Sequence, residues 1–399
     1  MNLSMLFLIA WLSPFVYGVT TLLGELSRRR NYEKFKTPKR DVDRIIFQIP
    51  TLGNYQTVNR AFASVRDAKL AVALECWAII EETDENKTKY EADRVVVVPK
   101  EFTCDALYKA RALEYARRLR LSLIDKGELS SKYLLLQADD DSTPSQDFLR
   151  ECMQVDADLI VGTITPRVKG FWNTVLDYER SVACATTCNL WTNIGIPIWA
   201  HGEALCLSSR VDRSIEYSFP TNVEDIYLMH KLAATKIISS EDMVYTHKVA
   251  LTKKYTLYNS RKPVVITPPL TFGDAVKQRR RWEWGHIRVV KAGLLPLGSR
   301  LRLIFQWSMG MCVYVIATLG VPLRLLGLIS YGADVALVTN STLVLWFAVR
   351  GYSVGIVKGF KHALAAMLSS YLTVTLNFLV HVIGLLQGDP KTFEVIAKA

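Results

Sequence analysis

Long apolar segments at both ends of this 399-residue chain flank a charged middle. Residues 3–23 contain no charged side chain, and about 20 apolar residues are enough to cross the hydrocarbon core of a bilayer. Three further apolar runs follow near the C-terminus, at residues 303–321, 336–349 and 364–386. We therefore predict an integral membrane protein with about four spans and one large domain outside the bilayer.

Basic residues beside the first apolar run predict its orientation. Arg28, Arg29 and Arg30 follow it directly, and cationic residues beside a span tend to stay in the cytoplasm. A cleaved signal peptide is the alternative, but no basic segment precedes the run and no small-residue cleavage site follows it. We expect the catalytic domain on the cytoplasmic side.

The net charge of +11 first suggests a nucleic-acid partner. Much of the positive charge lies beside the apolar runs, however, where anionic lipid headgroups are the expected partner. Because no nucleic-acid-binding motif is visible, we predict contact with membrane lipids and no nucleic acid.

Short apolar runs alternate with helical stretches from residue 41 to about residue 220. This pattern is typical of an α/β domain with a mostly parallel, Rossmann-like sheet, in which ligands bind beyond the carboxyl ends of the strands. A helix is predicted at residues 104–121. Strands are predicted at residues 44–49, 72–80, 94–98, 133–138 and 159–164.

Three consecutive acids follow the fourth predicted strand. Asp139, Asp140 and Asp141 repel one another, and a divalent cation would relieve that repulsion. Oxygen ligands suit Mg²⁺ or Mn²⁺. Asp139 and Asp141 point the same way if the chain is extended, because side chains alternate along a strand. The alternative is a solvated acidic turn, which the following Ser-Thr-Pro also favours.

A second acidic pair, Glu224-Asp225, opens the helical run at residues 226–234. Acids at this position also complement a helix dipole, so capping is an equal alternative to a catalytic role.

A third polar cluster lies on the helix that Thr271 and Asp274 are predicted to cap. Gln278, Arg281 and Trp282 fall on one face of that helix. An arginine on this face can clamp a diphosphate, and the tryptophan can stack on a sugar or form a wall. A basic helix lying on the membrane surface is the other interpretation, and both can hold on different faces.

In this order, Asp139-x-Asp141, Glu224-Asp225 and Gln278-x-x-Arg281-Trp282 resemble the motifs of family 2 glycosyltransferases of the GT-A fold, the group of cellulose, chitin and hyaluronan synthases. A closer resemblance, over residues 41–300, is to egghead-type β-1,4-mannosyltransferases. It rests on the sequences at residues 49–51, 98–99, 109–113 and 278–285.

The resemblance implies an α/β domain of the GT-A fold, with a Rossmann-like mixed sheet, and a role for each motif residue. Asp225 would be the catalytic base. Asp141 and Asp139 would hold the metal, with His247 as a further candidate ligand. Residues on the acceptor side would be Gly202, Glu203 and Glu224. Donor contacts would come from Thr51, Glu82, Asp84, Lys109, Arg111, Asp139, Gln278, Arg281 and Trp282. The family's second strand often ends in Asp-Asp, whereas this one ends in Glu-Glu-Thr-Asp, so Glu82, Thr83 and Asp84 remain alternatives.

The resemblance also implies the reaction. The chain would be an inverting hexosyltransferase that moves a sugar from GDP-mannose or a UDP-hexose to an acceptor hydroxyl, with Mg²⁺ or Mn²⁺ as cofactor and a β-bond as product. Because membrane spans would hold the site at the bilayer, we expect a lipid-linked or glycolipid acceptor. A processive polysaccharide synthase is the alternative. A transporter or scaffold is disfavoured, because the C-terminal runs contain few ionisable residues. The expected domains are an N-terminal span (1–27), the GT-A domain (41–265), interfacial helices (266–300) and C-terminal spans (301–399).

Overall fold

The computed structural model describes residues 12–167, 178, 180–193, 201–203, 205–214, 216–217, 255–293, 295, 297–330 and 332–390. Eight strands in this part of the chain form one mixed sheet in the order β3-β2-β1-β4-β7-β6-β8-β5. The strands are β1 (Arg44–Thr51), β2 (Ala73–Glu81), β3 (Arg94–Val98), β4 (Tyr133–Gln137), β5 (Ser142–Pro144), β6 (Leu159–Pro166), β7 (Leu205–Ser208) and β8 (Leu257–Ile266). The predicted Rossmann-like mixed sheet of the GT-A class is confirmed.

The parallel half of the sheet brings three strand ends together. Strand β1 pairs in parallel with β2 on one side and with β4 on the other. The carboxyl ends of these strands therefore meet at one edge. The other half is mixed, because β7 runs antiparallel to both β4 and β6, whereas β8 is parallel to β6. The expectation of a mostly parallel sheet holds for β1 to β4 and fails beyond them.

Two apolar layers cover the sheet. Helix α3 (Tyr108–Asp125) packs on one face, against a cluster that includes Ile46 and Trp77. Helices α2 (Tyr55–Arg66) and α4 (Gln146–Gln154) cover the opposite face, against neighbours such as Phe47. Successive residues of β1 thus enter opposite cores, since strand side chains alternate. Helices α5 (Asn189–Asn193) and α6 (Ser209–Ser214) flank β7 in sequence.

Helix α7 (Phe272–Lys291) follows β8 and begins at the predicted cap. The hydroxyl of Thr271 accepts a hydrogen bond from the backbone N–H of Asp274 at 3.1 Å and donates to its carboxylate at 2.7 Å. The first bond satisfies one of the backbone N–H groups that a helix start leaves unpaired, and the second holds the two side chains together.

Among the described residues, five α-helices follow α7: α8 (Leu297–Val315), α9 (Val321–Leu325), α10 (Ala333–Lys358), α11 (Phe360–Leu368) and α12 (Ser370–Leu386). In the described part of the chain, the segments Arg300–Leu325 and Val335–Lys358 are long and apolar enough to cross a membrane. Helices α11 and α12 together make a third candidate, bent by 63°. Two or three of the predicted spans are therefore present.

Helix α1 (Leu12–Phe35) contains the described part of the N-terminal apolar run. It packs against α10 and against the helical segment around α5. This helix is not among the candidate spans found in the described residues, and residues 1–11 of the predicted span lie outside them.

Candidate active site

A cleft lies where the strand ends face α7. It contains about 430 Å³ of empty space, part of it open to solvent. Its lining residues are Asp139, Asp141, Arg180, Glu203, Thr267, Pro268, Pro269, Gln278, Arg281 and Trp282. Six of the residues predicted from the sequence thus come together in one place: two aspartates, Glu203 and the three residues from α7.

The three consecutive aspartates divide as alternation predicts. Asp139 and Asp141 line the cleft, whereas the carboxylate of Asp140 accepts hydrogen bonds from Thr51 (Oγ1, 3.1 Å) and Asn54 (Nδ2, 3.5 Å). Asp140 therefore ties the loop after β4 to the end of β1. Thr51 therefore supports the acidic loop through its bond to Asp140 and does not itself line the cleft.

Lys109 supplies a cation beside the acidic loop. It is the second residue of α3, and its ammonium group forms an ion pair with Asp139. The pair offsets part of the repulsion between Asp139 and its acidic neighbours. Lys109 thus lies beside the cleft, and its predicted contact with the donor stays a prediction.

Helix α7 presents Gln278, Arg281 and Trp282 to the cleft, as their spacing predicts. Thr267, Pro268 and the adjacent Pro269 connect β8 to this helix and form part of the wall. Because proline fixes its own φ and restricts the preceding residue, this short link holds the start of α7 at a defined distance from the sheet.

Arg180 was not predicted from the sequence. It forms an ion pair with Glu203 inside the cleft, and its guanidinium lies 5.1 Å from the centre of the Trp282 ring. Burial alone would raise the pKa of Glu203, but the charges of Arg180 and His201 lower that pKa to about 2. Glu203 is therefore a fixed negative charge at neutral pH.

Five predicted donor contacts lie outside the cleft lining: Thr51 and Lys109, described above, and Glu82, Asp84 and Arg111. The guanidinium of Arg111 binds Glu81 at 2.8 Å and also the carbonyl oxygen of Pro99 at 2.6 Å. Glu82 accepts a hydrogen bond from the backbone of Lys100. Arg111 is thus held against the loop after β3.

Asp84 lies near the turn that follows β1. Its carboxylate accepts hydrogen bonds from Tyr90 (Oη, 2.7 Å) and from the backbone of Asn86 (2.7 Å). A Cβ on Gly53 would lie 4.0 Å from the same carboxylate. The ends of β1 and β2 therefore form a polar corner at the same edge of the sheet, outside the lining of the cleft.

Two of the described carboxylates could hold a divalent metal. Asp139 and Asp141 face one cleft, and their oxygens are the ligands that Mg²⁺ and Mn²⁺ prefer. No cluster of three His, Cys, Asp or Glu side chains with metal-binding geometry occurs in the described ranges. The predicted base Asp225, its neighbour Glu224 and the candidate ligand His247 lie outside the described residues.

Two solved structures are similar to this chain over much of its length. A mannosyltransferase from Pyrobaculum calidifontis, solved with GDP-mannose and Mn²⁺, is 12% identical, with a TM-score of 0.41 over 93% of this chain and 99% of the other. Glucosyl-3-phosphoglycerate synthase from Mycobacterium tuberculosis, solved with UDP-glucose and Mn²⁺, is 14% identical, with a TM-score of 0.34 over 57% and 73%. A comparison with curated protein sequences found no match.

The sequence profile described as glycosyl transferase family group 2 matches residues 134–379, which is more than half of the chain. The match begins in β4, just before the acidic loop, and extends through α7 into α12. It therefore includes every residue that lines the cleft. The chain belongs to this family and is a glycosyltransferase.

Proposed function

We propose that this enzyme transfers a hexose from a nucleotide-sugar donor to a membrane-bound acceptor, with inversion at the anomeric carbon. The observation that carries this proposal is the convergence of Asp139, Asp141, Arg281 and Trp282 on one cleft. Carboxylates that can hold a divalent cation face a guanidinium that can clamp phosphate oxygens.

The charges of the cleft support a diphosphate leaving group. Its described lining includes three carboxylates and two guanidinium groups, and Lys109 adds a third cation beside Asp139. These charges balance, whereas the diphosphate of a nucleotide sugar is a dianion. A bound Mg²⁺ or Mn²⁺ would supply the missing positive charge and stabilise the leaving group. Arg281 would contact the same phosphate oxygens from α7.

A carboxylate that acts as general base works best when its pKa is near the working pH. Glu203 is too strong an acid, since Arg180 and His201 hold its pKa at about 2. Asp139 is paired with Lys109. We assign the base to Asp225, as the family resemblance implies. It would accept the proton of the acceptor hydroxyl as that oxygen attacks.

A membrane-bound acceptor fits the position of α7. This helix provides the cleft wall on one face and contacts the candidate spans through α8 and α12 on others. A lipid-linked acceptor could therefore reach Trp282 by lateral diffusion. GDP-mannose is our first candidate donor, on the egghead-type resemblance, and UDP-hexose is the second.

The test is a donor screen with the purified full-length protein in detergent. We expect release of a nucleoside diphosphate from GDP-mannose or UDP-glucose in the presence of Mn²⁺ or Mg²⁺, and loss of that release when the metal is chelated. One added sugar on a lipid acceptor would support single transfer, whereas a ladder of products would establish a processive synthase.

The Asp141→Asn variant links the screen to the cleft. We expect it to raise the metal concentration needed for half-maximal release by about 10-fold or more, because the variant loses one anionic ligand. Asp41→Asn is the matched control, since Asp41 is exposed and pairs with Lys132 at the surface. Equal metal dependence of the two variants would contradict the proposed role of Asp141.

A further inference from the structure

Helix α7 has a second polar face, directed at the membrane helices. Next to Trp282, the side chain of Glu283 is only 3% exposed. One carboxylate oxygen lies 2.6 Å from Nδ1 of His381 on α12, and the other accepts a hydrogen bond from the indole N–H of Trp307 on α8. A single carboxylate thus joins three helices.

Other contacts attach the same turns of α7 to α12. Arg279 is buried and donates to the side chain of Asn377 at 3.2 Å. A Cβ placed on Gly384 would lie 2.9 Å from the backbone nitrogen of Arg280, so the two helix backbones touch. Helix α7 therefore packs directly against α12 over the turns that contain residues 279–283.

The two faces of α7 lie next to each other in sequence. Arg281 and Trp282 line the cleft, and Glu283 is the next residue. A rotation of α7 about its axis would move all three together, because a helix turn behaves as a rigid unit. Displacing reacting groups by about 1 Å can cost about 100-fold in rate. The anchor that fixes this rotation therefore affects the chemistry without touching substrate.

We propose that Glu283 is a positioning residue that holds Arg281 and Trp282 in register with the cleft through its bonds to His381 and Trp307. The membrane bundle then sets the geometry of the active site. This inference rests on the proposed glycosyl transfer.

The variants that test it remove either one of the two bonds or both. Trp307→Phe removes the indole N–H and keeps an aromatic ring, whereas Glu283→Ala removes both bonds. Glu283→Gln keeps an oxygen that can accept from Trp307. Trp284→Phe is the matched control, because Trp284 lies on the same helix and its N–H has no hydrogen-bond partner among the described residues.

Two measurements on the full-length protein in detergent decide the outcome. The first is steady-state release of nucleoside diphosphate from GDP-mannose or UDP-glucose with Mn²⁺. We expect Trp307→Phe and Glu283→Ala to lower kcat by about 10- to 100-fold while KM for the donor stays within about two-fold. Glu283→Gln should retain more activity than Glu283→Ala, and Trp284→Phe should match wild type. The second is hydrogen exchange of the backbone amides of α7. We expect it to become faster in Trp307→Phe and Glu283→Ala and to stay at the wild-type rate in Trp284→Phe.

The pair Glu283→Ala and Trp307→Phe should also be non-additive, since both remove the same bond. Wild-type kcat and wild-type exchange in Trp307→Phe would overturn the inference. The inference would also be overturned if Trp307→Phe and Glu283→Ala lowered both the affinity for the donor and the unfolding temperature. That result would show that Glu283 supports folding in general and does not position the cleft residues. If wild type releases no nucleoside diphosphate, the proposed function fails, and the exchange of α7 still decides whether Glu283 anchors it.

Discussion

The indole of Trp282 illustrates how neighbouring charges restrict the role of one residue. Two guanidinium groups lie over its ring, Arg180 at 5.1 Å and Arg279 at 4.5 Å from the ring centre. The ring also packs against an apolar cluster that includes Val289 and Leu303. Because cations and apolar side chains already cover it, Trp282 is better suited to form a wall of the cleft than to stack on a sugar.

At Asp225, the Asp225→Asn variant should lose about 100- to 10,000-fold in kcat, which is the usual contribution of a general base. Donor binding should survive, because the diphosphate would be held by Arg281 and by the divalent cation at Asp139 and Asp141. Steady-state turnover and nucleotide binding by calorimetry separate the two effects. Asp225→Asn turning over at the normal rate would show that the base is another residue.

The ion pair between Arg180 and Glu203 has a defined pH dependence. The pKa of Glu203 is lowered to about 2 in the folded protein, and an unperturbed glutamate titrates near 4.3. The pair therefore contributes stability above about pH 4.3, and this contribution is lost as the pH falls toward 2. Glu203→Gln leaves Arg180 without its partner carboxylate and should lower the free energy of unfolding by about 3 kcal/mol at pH 7.

Thermal unfolding in detergent checks this prediction. The difference between wild type and Glu203→Gln should be constant from about pH 7 to 5 and shrink below about pH 4. A difference that already disappears at pH 6 would mean that Glu203 is not held ionised by Arg180.

Individual site residues were predictable only where a local rule applies. Strand alternation predicts that Asp139 and Asp141 share the cleft while Asp140 points away, and helix spacing groups Gln278 with Trp282. Arg180 belongs to no such pattern, since its partner Glu203 is far along the chain. Arg111 was predicted to contact the donor, but in the structure its guanidinium binds Glu81 and the carbonyl oxygen of Pro99. These partners come close to Arg111 only in the folded chain, so the local sequence does not reveal them.

At the scale of elements, the contact between α7 and α12 depends on a glycine. A Cβ on Gly384 would lie 2.9 Å from the backbone nitrogen and 3.1 Å from Cα of Arg280, and backbone atoms cannot move aside as a flexible side chain can. Gly384→Ala should therefore push α7 away from α12 and destabilise the protein by about 1–3 kcal/mol. Activity should fall as well, since α7 carries the cleft wall.

Gly298→Ala is the control for this substitution. Gly298 is also helical, in α8, and a Cβ there would meet no atom within 4 Å. Replacing an exposed helical glycine by alanine stabilises by up to about 1 kcal/mol. The two variants should thus shift the unfolding temperature in opposite directions. Equal shifts would show that the close approach at Gly384 does not limit the packing.

The sequence predicted the strands correctly where they consist of continuous apolar runs. Runs such as residues 94–98 predict β3 with its observed bounds. Strands β5, β7 and β8 were missed for physical reasons. Strand β5 has only three residues, Ser-Thr-Pro, which are typical of turns. Strand β7 has only four residues, too few to show an alternating pattern. In β8, Arg261, Lys262 and Pro263 interrupt the apolar pattern, and the strand forms because β6 pairs with it.

At the scale of the whole molecule, the sheet domain is joined to the membrane helices by polar contacts. Lys358, at the end of α10, donates to the carbonyl oxygen of Pro166 at the end of β6. His362 on α11 lies 3.1 Å from the hydroxyl of Tyr178. Between them, Gly359 has a φ of +86° and turns the chain from α10 into α11. This end of the membrane bundle therefore faces the catalytic domain.

The same arrangement supports the prediction that the catalytic domain lies on the cytoplasmic side of the membrane. Lys358 and Lys361 stand at the domain end of the bundle, and Arg28 to Arg30 lie on α1 close to the sheet. Basic residues at span ends stay in the cytoplasm. We therefore predict that an impermeant maleimide labels a cysteine on the sheet domain only after cells are permeabilised.

Lys126→Cys provides that cysteine, since Lys126 is exposed just after α3. The native background is low, because five of the seven cysteines are buried and burial raises the pKa of the Cys104 thiol. A thiol with a raised pKa contains less of the reactive thiolate. Adding Cys104→Ser removes the remaining signal outside the candidate spans. Labelling of Lys126→Cys in intact cells would place the cleft on the outer side, where cytoplasmic nucleotide sugars cannot reach it, and would require a different donor.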